Sequence, residues 1–198
     1  GMLHGRVIRP PVSGAVPAAV DESSIADIPG VKVVREKGFI GVVATQEWRA
    51  IKAARQLKIT WSDSKPNFPG HNKIHDHIRA APVIHRDVDK EKGKIDEHFA
   101  KAAKVFEAAY EWPFQSHASM APACGLVDVK ADGARMWSGT QKPHAAAEGV
   151  AKFLGVAPEK VECTSMTGPG SYGRNDAGDA GMDAAVLSKA VGKPVRVQ

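Results

Sequence analysis

Apolar and polar positions along the first sixty residues predict a small mixed unit of strands around one helix. Residues 45–58 carry apolar side chains at helical spacing, and Thr45 is a residue type that caps helices. The positions expected on the inner face of this helix are Ala50, Ile51, Ala54 and Leu57. Runs rich in β-forming residues predict strands over Met2–Arg9, Val31–Val34, Phe39–Ala44 and Ile59–Trp61, with a loop and a short helical piece in 14–29.

The pattern weakens over residues 63–103, which are polar and carry five of the eight histidines. We expect a long irregular connection here, with a helix somewhere in Asp89–Ala102. Regular patterning returns at Lys104, where β-forming residues predict a strand over Lys104–Trp112.

The C-terminal part predicts alternating strands and helices. Asp132-Gly133 is a typical turn pair and predicts a hairpin of Leu126–Lys130 and Ala134–Trp137. A helix Pro143–Gly155, a strand Val161–Met166, a helix 179–192 and a strand 194–198 follow. The expected core residues of the last helix are Met182, Ala185, Val186 and Ala190. The order predicts an α+β fold of two units, 2–62 and 104–198, joined by the connection 63–103.

Composition narrows the functional classes. The net charge of +5 comes from 27 basic and 22 acidic residues that intermingle, and only 6% of residues are aromatic, which argues against a nucleic-acid-binding protein. No apolar run approaches the roughly 18 residues of a membrane span. The opening residues lack the apolar core of a signal peptide, which leaves cytoplasmic and periplasmic locations open. Two cysteines cannot ligate an iron–sulfur cluster within this chain.

The segment TSMTGPGSYGRNDAGDAG, residues 164–181, lies between a predicted strand and a predicted helix. Gly168, Gly170 and Gly173 allow a backbone to approach a ligand closely, as an anion-binding loop does. The same segment loosely resembles a nucleophile elbow at Ser171, with His117 or His144 as the base. A flexible surface loop is the third alternative, and the residues by themselves do not choose among the three.

A histidine cluster is the other candidate for chemistry. His71 and His75 have the i,i+4 spacing of helical metal ligands, and His77 follows closely. Prolines and a glycine precede them and the helical pattern is weak, so we expect a solvated polar loop here.

Four stretches of the sequence carry a resemblance to a known family. They are MLHGRVIRPP, VDESSIADIPGVKVV, GFIGVVATQEWRAIKAARQLKITW and YEWPFQSHASMAPACGLVDV. Together they resemble the molybdenum hydroxylases, the molybdopterin-binding large subunits of the xanthine dehydrogenase and aldehyde oxidase family. The resemblance is greatest to the bacterial isoquinoline 1-oxidoreductase β-subunit type. It implies an α/β-hammerhead-like unit followed by the start of a molybdopterin-binding α+β domain.

The resemblance also implies a cofactor site. That family has a Ser/Thr-Gln motif followed, after a helix and a strand, by a glycine-rich loop with an aromatic residue. Here GTQKP supplies Gln141, and GPGSYG supplies Tyr172 at the matching distance. The implied contacts of a molybdopterin-type molybdenum cofactor are Gln141, Gly170, Ser171, Tyr172, Gly173 and Arg174. Asp176 falls near a substrate-binding position of some members.

Several positions depart from the family pattern. Pro169 and Ser171 replace loop glycines, Tyr172 replaces a phenylalanine, and Ala121 stands where many members have a glutamate. The family's catalytic glutamate belongs to a C-terminal region that does not match this chain. We therefore expect an N-terminal fragment that is inactive alone.

The implied activity is hydroxylation of an aldehyde or N-heterocycle, with water as the oxygen source. The implied partners are an iron–sulfur subunit and the remainder of the large subunit, and homo-oligomers are also possible. A non-catalytic structural or subunit-interaction module derived from that family is the alternative.

Overall fold

The computed structural model describes residues 1–90, 92–115, 117–173 and 179–198. They belong to two compact units, Gly1–Lys65 with Ser116–Gln198, and Pro66–Gln115. Helices and strands occur together, as predicted for an α+β fold. The helices are α1 (Glu47–Gln56), α2 (Ile74–Ala80), α3 (Ile95–Lys101), α4 (Pro143–Leu154) and α5 (Asp179–Val191). None of the helices in these ranges is long and apolar enough to cross a membrane.

One mixed sheet organises the first unit. The strands of the described chain are β1 (Leu3–Ile8), β2 (Pro17–Asp21), β3 (Val31–Glu36), β4 (Phe39–Ala44), β5 (Lys58–Trp61), β6 (Gly125–Lys130), β7 (Gly133–Ser138), β8 (Val161–Ser165) and β9 (Val195–Val197). The mixed sheet has the strand order β3-β4-β1-β9-β6-β7-β8, and a separate two-stranded sheet pairs β2 with β5. Strands from residues 2–62 and from residues 104–198 thus share this sheet. The domain boundaries expected near 62 and 104 stay a prediction.

Strand β4 shows how the sheet is buried on both faces. Ile40 and Val42 pack in a cluster with Ala53 of α1 and with Leu57, which directly follows that helix. Val43 points the other way, into the cluster that contains Leu187 of α5. Successive side chains of a strand point to opposite faces, so α1 covers one face of the sheet, and α5 with its neighbour α4 covers the other.

Helix α4 connects two parallel neighbours, β7 and β8. Pro143 stands at its first position, where the missing N–H costs nothing, and Gly155 ends it in the left-handed conformation with φ 74°. These predicted signals are confirmed. The hairpin of β6 and β7 is also confirmed, but Gly133 already pairs with Lys130, so that the turn consists of Ala131 and Asp132.

An ion-pair cluster fixes the start of α1. Glu47 Oε1 accepts from Arg6 Nη2 of β1 at 2.9 Å and from Arg196 Nη1 of β9 at 2.8 Å. The hydrogen bonds from these two guanidinium groups lower the pKa of Glu47 to about 2. The helix begins at Glu47 with Gln46 as its N-cap and no side-chain cap. The prediction that Thr45 caps this helix is therefore wrong, because the long-range pairs of Glu47 tie down its first turn instead.

Several other predictions are corrected by the fold. Strand β2 was missed within the predicted loop 14–29, because it exists through its pairing with β5. In α5 the buried residues are Ala180, Gly181, Ala184, Ala185, Leu187 and Ser188. Of the predicted core residues of that helix, Met182 and Val186 are only partly buried and Ala190 is exposed. Leu187 is buried instead because Gly5 and Gly41 of the sheet leave room for its side chain.

The second unit, 66–115, consists of α2, α3 and irregular segments. Helix α2 includes His75 and His77, so the prediction of a polar loop at this place is wrong; an Asp76–Arg79 ion pair at i,i+3 supports the helix. Helix α3 confirms the helix expected in 89–102. None of the described residues of this unit forms a strand. The strand predicted over Lys104–Trp112 is therefore wrong, since its β-forming residues have no partner strand here.

Candidate functional site

Gln141 and the glycine-rich loop follow two adjacent parallel strands. Strands β7 and β8 run in register up to Ser138 and Ser165. Gln141 comes three positions after the end of β7, and the loop follows the end of β8. Carboxyl ends of parallel strands meet at one edge of a sheet, which is where open α/β sheets bind ligands. The fold therefore places both sequence motifs at the same edge.

Hydrogen bonds of the neighbouring residues hold the backbone of the turn that carries Gln141. Thr140 is buried, and its hydroxyl oxygen accepts from the Lys142 N–H at 3.1 Å. Ser165 Oγ donates to the Thr140 carbonyl at 3.2 Å, and the Met166 N–H donates to the Ser138 carbonyl at 2.9 Å. These bonds join the base of the Gln141 turn to the base of the glycine-rich loop. The Gln141 side chain is exposed and makes no hydrogen bond within the ranges that the structure describes.

The glycine-rich loop has a left-handed backbone at three positions. These are Gly170 with φ 84°, Tyr172 with φ 50° and Gly173 with φ 99°. The Tyr172 ring folds back over Gly170, where a Cβ would lie 2.6 Å from Tyr172 Cε2. A side chain at position 170 would therefore collide with the ring. Tyr172 itself remains 61% exposed, so much of this side chain is accessible from outside the loop.

Ser171 serves the loop internally. Its Oγ accepts from the Gly173 N–H at 3.2 Å. The N–H of Gly173, a residue that the resemblance implies as a cofactor contact, is therefore already paired with a loop hydroxyl. Neither His117 nor His144 hydrogen-bonds to Ser171 in the described part of the chain, so the nucleophile arrangement gains no support from the geometry.

Sequence reasoning missed a second segment, His117–Met120, which lies against the loop. Ser119 Oγ donates to the Ser171 carbonyl at 3.2 Å, and the Met120 N–H donates to the Pro169 carbonyl at 3.2 Å. The His117 ring lies directly over Gly173. The sequence offered two signals: His117 was a candidate base for Ser171, and it stands in one of the stretches that carry the family resemblance. Neither signal predicted these backbone contacts of the segment with the loop.

The remaining candidates lie elsewhere. Arg174 and Asp176 fall outside the described residues. His71 faces the Phe114 ring and His77 the Phe68 ring, with centroids 6.1 and 6.0 Å apart. Among the described residues no group of three or more potential ligand side chains could hold a metal ion.

Cys163 of β8 is half-buried, and burial raises the pKa of its thiol. At neutral pH this thiol is uncharged and behaves as a small apolar side chain.

The molybdopterin cofactor-binding domain family matches residues 74–198 of the sequence. This chain belongs to that family. The matched range includes Gln141, the segment 117–120 and the glycine-rich loop. The family assignment made from the sequence motifs is therefore confirmed.

Relatives of this domain are named as subunits of oxidoreductases. One subunit of the nicotinate dehydrogenase of Pseudomonas putida is 43% identical over 206 residues, covering 100% of this chain and 17% of that protein. The β-subunit of isoquinoline 1-oxidoreductase of Brevundimonas diminuta is 28% identical over 211 residues, covering 100% of this chain and 27% of that protein. The chain thus spans a minor part of the length of these relatives.

Solved structures share the fold of this molybdopterin cofactor-binding domain. The aldehyde oxidoreductase of Desulfovibrio gigas has a TM-score of 0.78 at 18% identity, covering 100% of this chain and 27% of that one. Quinoline 2-oxidoreductase of Pseudomonas putida 86 has a TM-score of 0.73 at 18% identity, covering 100% and 31%. These likenesses confirm the α+β fold that the resemblance implied.

Proposed function

We propose that this chain is a portion of a molybdopterin-dependent oxidoreductase and that its cofactor lies at the carboxyl ends of β7 and β8. The observation that carries the proposal is the placement of Gln141 and the glycine-rich loop at that edge of two adjacent parallel strands. The family match over 74–198 supports the same cofactor class.

The residues at this edge fit such a group in part. Gln141 offers an exposed amide whose hydrogen-bonding groups are unused within the described ranges, and its backbone is held by the Thr140 contacts. Tyr172 offers an aromatic side chain that is largely exposed. Gly173 would offer its N–H once Ser171 releases it, and Gly170 keeps the backbone accessible. The proposal retains Arg174 as a further cofactor contact and Asp176 as a substrate contact.

The proposed reaction is hydroxylation of an aldehyde or N-heterocycle with oxygen from water. The names of the relatives, which refer to nicotinate, isoquinoline and aldehydes, support this substrate range. The cofactor supplies the two-electron redox chemistry when it is bound. The residues of this chain orient it through Gln141 and limit the access of water through the loop.

We also propose that the chain does not turn over substrate alone. It covers 17% and 27% of the two relatives, which are named as subunits. The proposed partners are an iron–sulfur subunit and the remainder of a large subunit. They would supply the electron-transfer centres, the general base and the other half of the cofactor site.

The test compares the chain alone with the complex recovered through a tag on this chain from cells that encode it. Molybdenum content, pterin fluorescence after oxidation and substrate-dependent dye reduction are measured in both samples. We expect cofactor and activity in the complex, and Gln141→Ala should lower the cofactor content. Gln56→Ala, an exposed glutamine at the end of α1, is the matched control and should change nothing. A complex without molybdenum would contradict the proposal.

The alternative is a non-catalytic module that only binds other subunits. Large apolar side chains exposed in residues 66–115 favour it, including Phe106 at 81% and Trp112 at 71%. Recovery of a stable complex that contains neither molybdenum nor pterin would support this alternative.

A further inference from the structure

We propose that His117 and Ser119 are positioning residues for the glycine-rich loop. The segment His117–Met120, called the strap below, holds the loop 168–173 in the conformation that presents Tyr172. The inference rests on the proposed function for the identity of the ligand, but the contact between strap and loop stands on the geometry alone.

Three independent contacts join the strap to the loop. Ser119 Oγ donates to the Ser171 carbonyl, and the Met120 N–H donates to the Pro169 carbonyl, both at 3.2 Å. The third contact is the His117 ring, which fills the space above the Gly173 α-carbon. The contacts thus fall on alternate loop residues, 169, 171 and 173, and fix the backbone on both sides of Tyr172.

The contact of His117 explains why position 173 is glycine. A Cβ on this residue would lie 2.5 Å from His117 Cε1, far inside van der Waals contact. The backbone there also has φ 99°, which only glycine adopts without strain. Position 173 therefore accepts no side chain while the His117 ring stays in place.

The strap and the loop each contain a non-glycine residue with a positive, unfavourable φ angle. Ala118 in the strap has φ 42°, and Tyr172 in the loop has φ 50°. Non-glycine residues keep such conformations when the surrounding structure over-determines them. The paired contacts supply that constraint, since Ala118 stands between His117 and Ser119 just as Tyr172 stands between Ser171 and Gly173.

Ser171 links the strap to the part of the loop assigned to the cofactor. Its carbonyl accepts from Ser119, while its own hydroxyl accepts from the Gly173 N–H. The family pattern has glycine at position 171, whereas this chain has a serine whose hydroxyl hydrogen-bonds to Gly173 at the other end of the turn. The strap therefore acts on the Gly173 N–H through Ser171, and on the α-carbon of Gly173 directly through His117.

The first test is NMR spectroscopy of the full 198-residue chain labelled with ¹³C,¹⁵N-glycine. We expect the Gly173 α-protons to be shifted upfield by the His117 ring. His117→Ala should abolish this shift and accelerate amide exchange at Gly173 about tenfold. His117→Phe should restore both, because it returns a ring to the same place. His98→Ala, which removes an exposed histidine of α3, is the control. Unchanged Gly173 signals in His117→Ala would overturn the proposal.

The second test measures the pterin content of the tagged complex for the same variants. We expect His117→Ala and Ser119→Ala to lower it severalfold, and His117→Phe to retain it. If wild-type complex holds no pterin while the NMR shifts behave as expected, the proposed cofactor function fails and the strap contact stands. If the wild-type complex holds pterin and His117→Ala holds the same amount, the positioning role of His117 is refuted.

Discussion

The two compact units of this chain differ in how far their large apolar side chains are buried. In the sheet unit, Ile40, Val42 and Leu187 are at most 1% exposed, and helices cover both faces of β4. In the unit 66–115, comparable side chains such as Phe106, Trp112 and Phe114 are mostly exposed. Stability of the isolated chain therefore resides in the sheet unit, while 66–115 carries surface suited to further contacts.

The largest expected effect comes from emptying the sheet core. Leu187→Ala should lower the free energy of unfolding by about 2–5 kcal/mol, because the cavity would lie against Gly5 and Gly41, which have no side chain to fill it. Urea denaturation followed by far-UV circular dichroism measures the change. A loss below about 1 kcal/mol would mean that the core at α5 repacks, and the contrast between the units would weaken.

A smaller, pH-dependent effect is expected at the ion-pair cluster of α1. The pKa of Glu47 is lowered from its ordinary 4.5 to about 2, so its contribution is fully present above pH 4.5 and is lost as the pH falls toward 2. Since its side chain is 38% exposed, solvent screening reduces this contribution to about 1 kcal/mol or less. Denaturation midpoints between pH 5 and pH 2 should fall more steeply in wild type than in Glu47→Gln.

The matched carboxylate in the other unit sharpens this comparison. Glu111 pairs with Arg79, whose hydrogen bond lowers the pKa of Glu111, but the group is solvent-exposed. We expect Glu111→Gln to leave the acid branch of the same curve unchanged. If both variants made the denaturation midpoint equally less dependent on pH, the loss of stability in acid would not distinguish the two units.

Among the substitutions of apolar side chains, the smaller expected effect is that of Phe106→Ala. With 81% of Phe106 exposed, its removal should change the free energy of unfolding by less than about 0.5 kcal/mol. The same denaturation experiment as for Leu187→Ala measures it, which makes the two variants a direct pair. A large loss would show that residues around Phe106 are packed in solution.

Sequence patterns predicted best where local chemistry and burial agree. The α4 boundaries followed from Pro143 and Gly155, and the β6–β7 hairpin followed from its turn residues. Prediction failed at Lys104–Trp112, because β-forming residues make a strand only beside another strand. It also failed at Thr45, where two arginines distant in sequence bind Glu47 and secure the helix start.

The candidate site also has features that the sequence predicts and features that only the tertiary structure shows. The sequence by itself determined the family and identified Gln141 and the glycine-rich loop as candidate site residues, because the spacing between motifs can be measured along the chain without a structure. Only the tertiary structure placed both motifs at the end of adjacent parallel strands, and only it brought His117 and Ser119 onto the loop. Such contacts join residues about fifty positions apart. No local periodicity encodes them, since they depend on how the whole sheet unit packs.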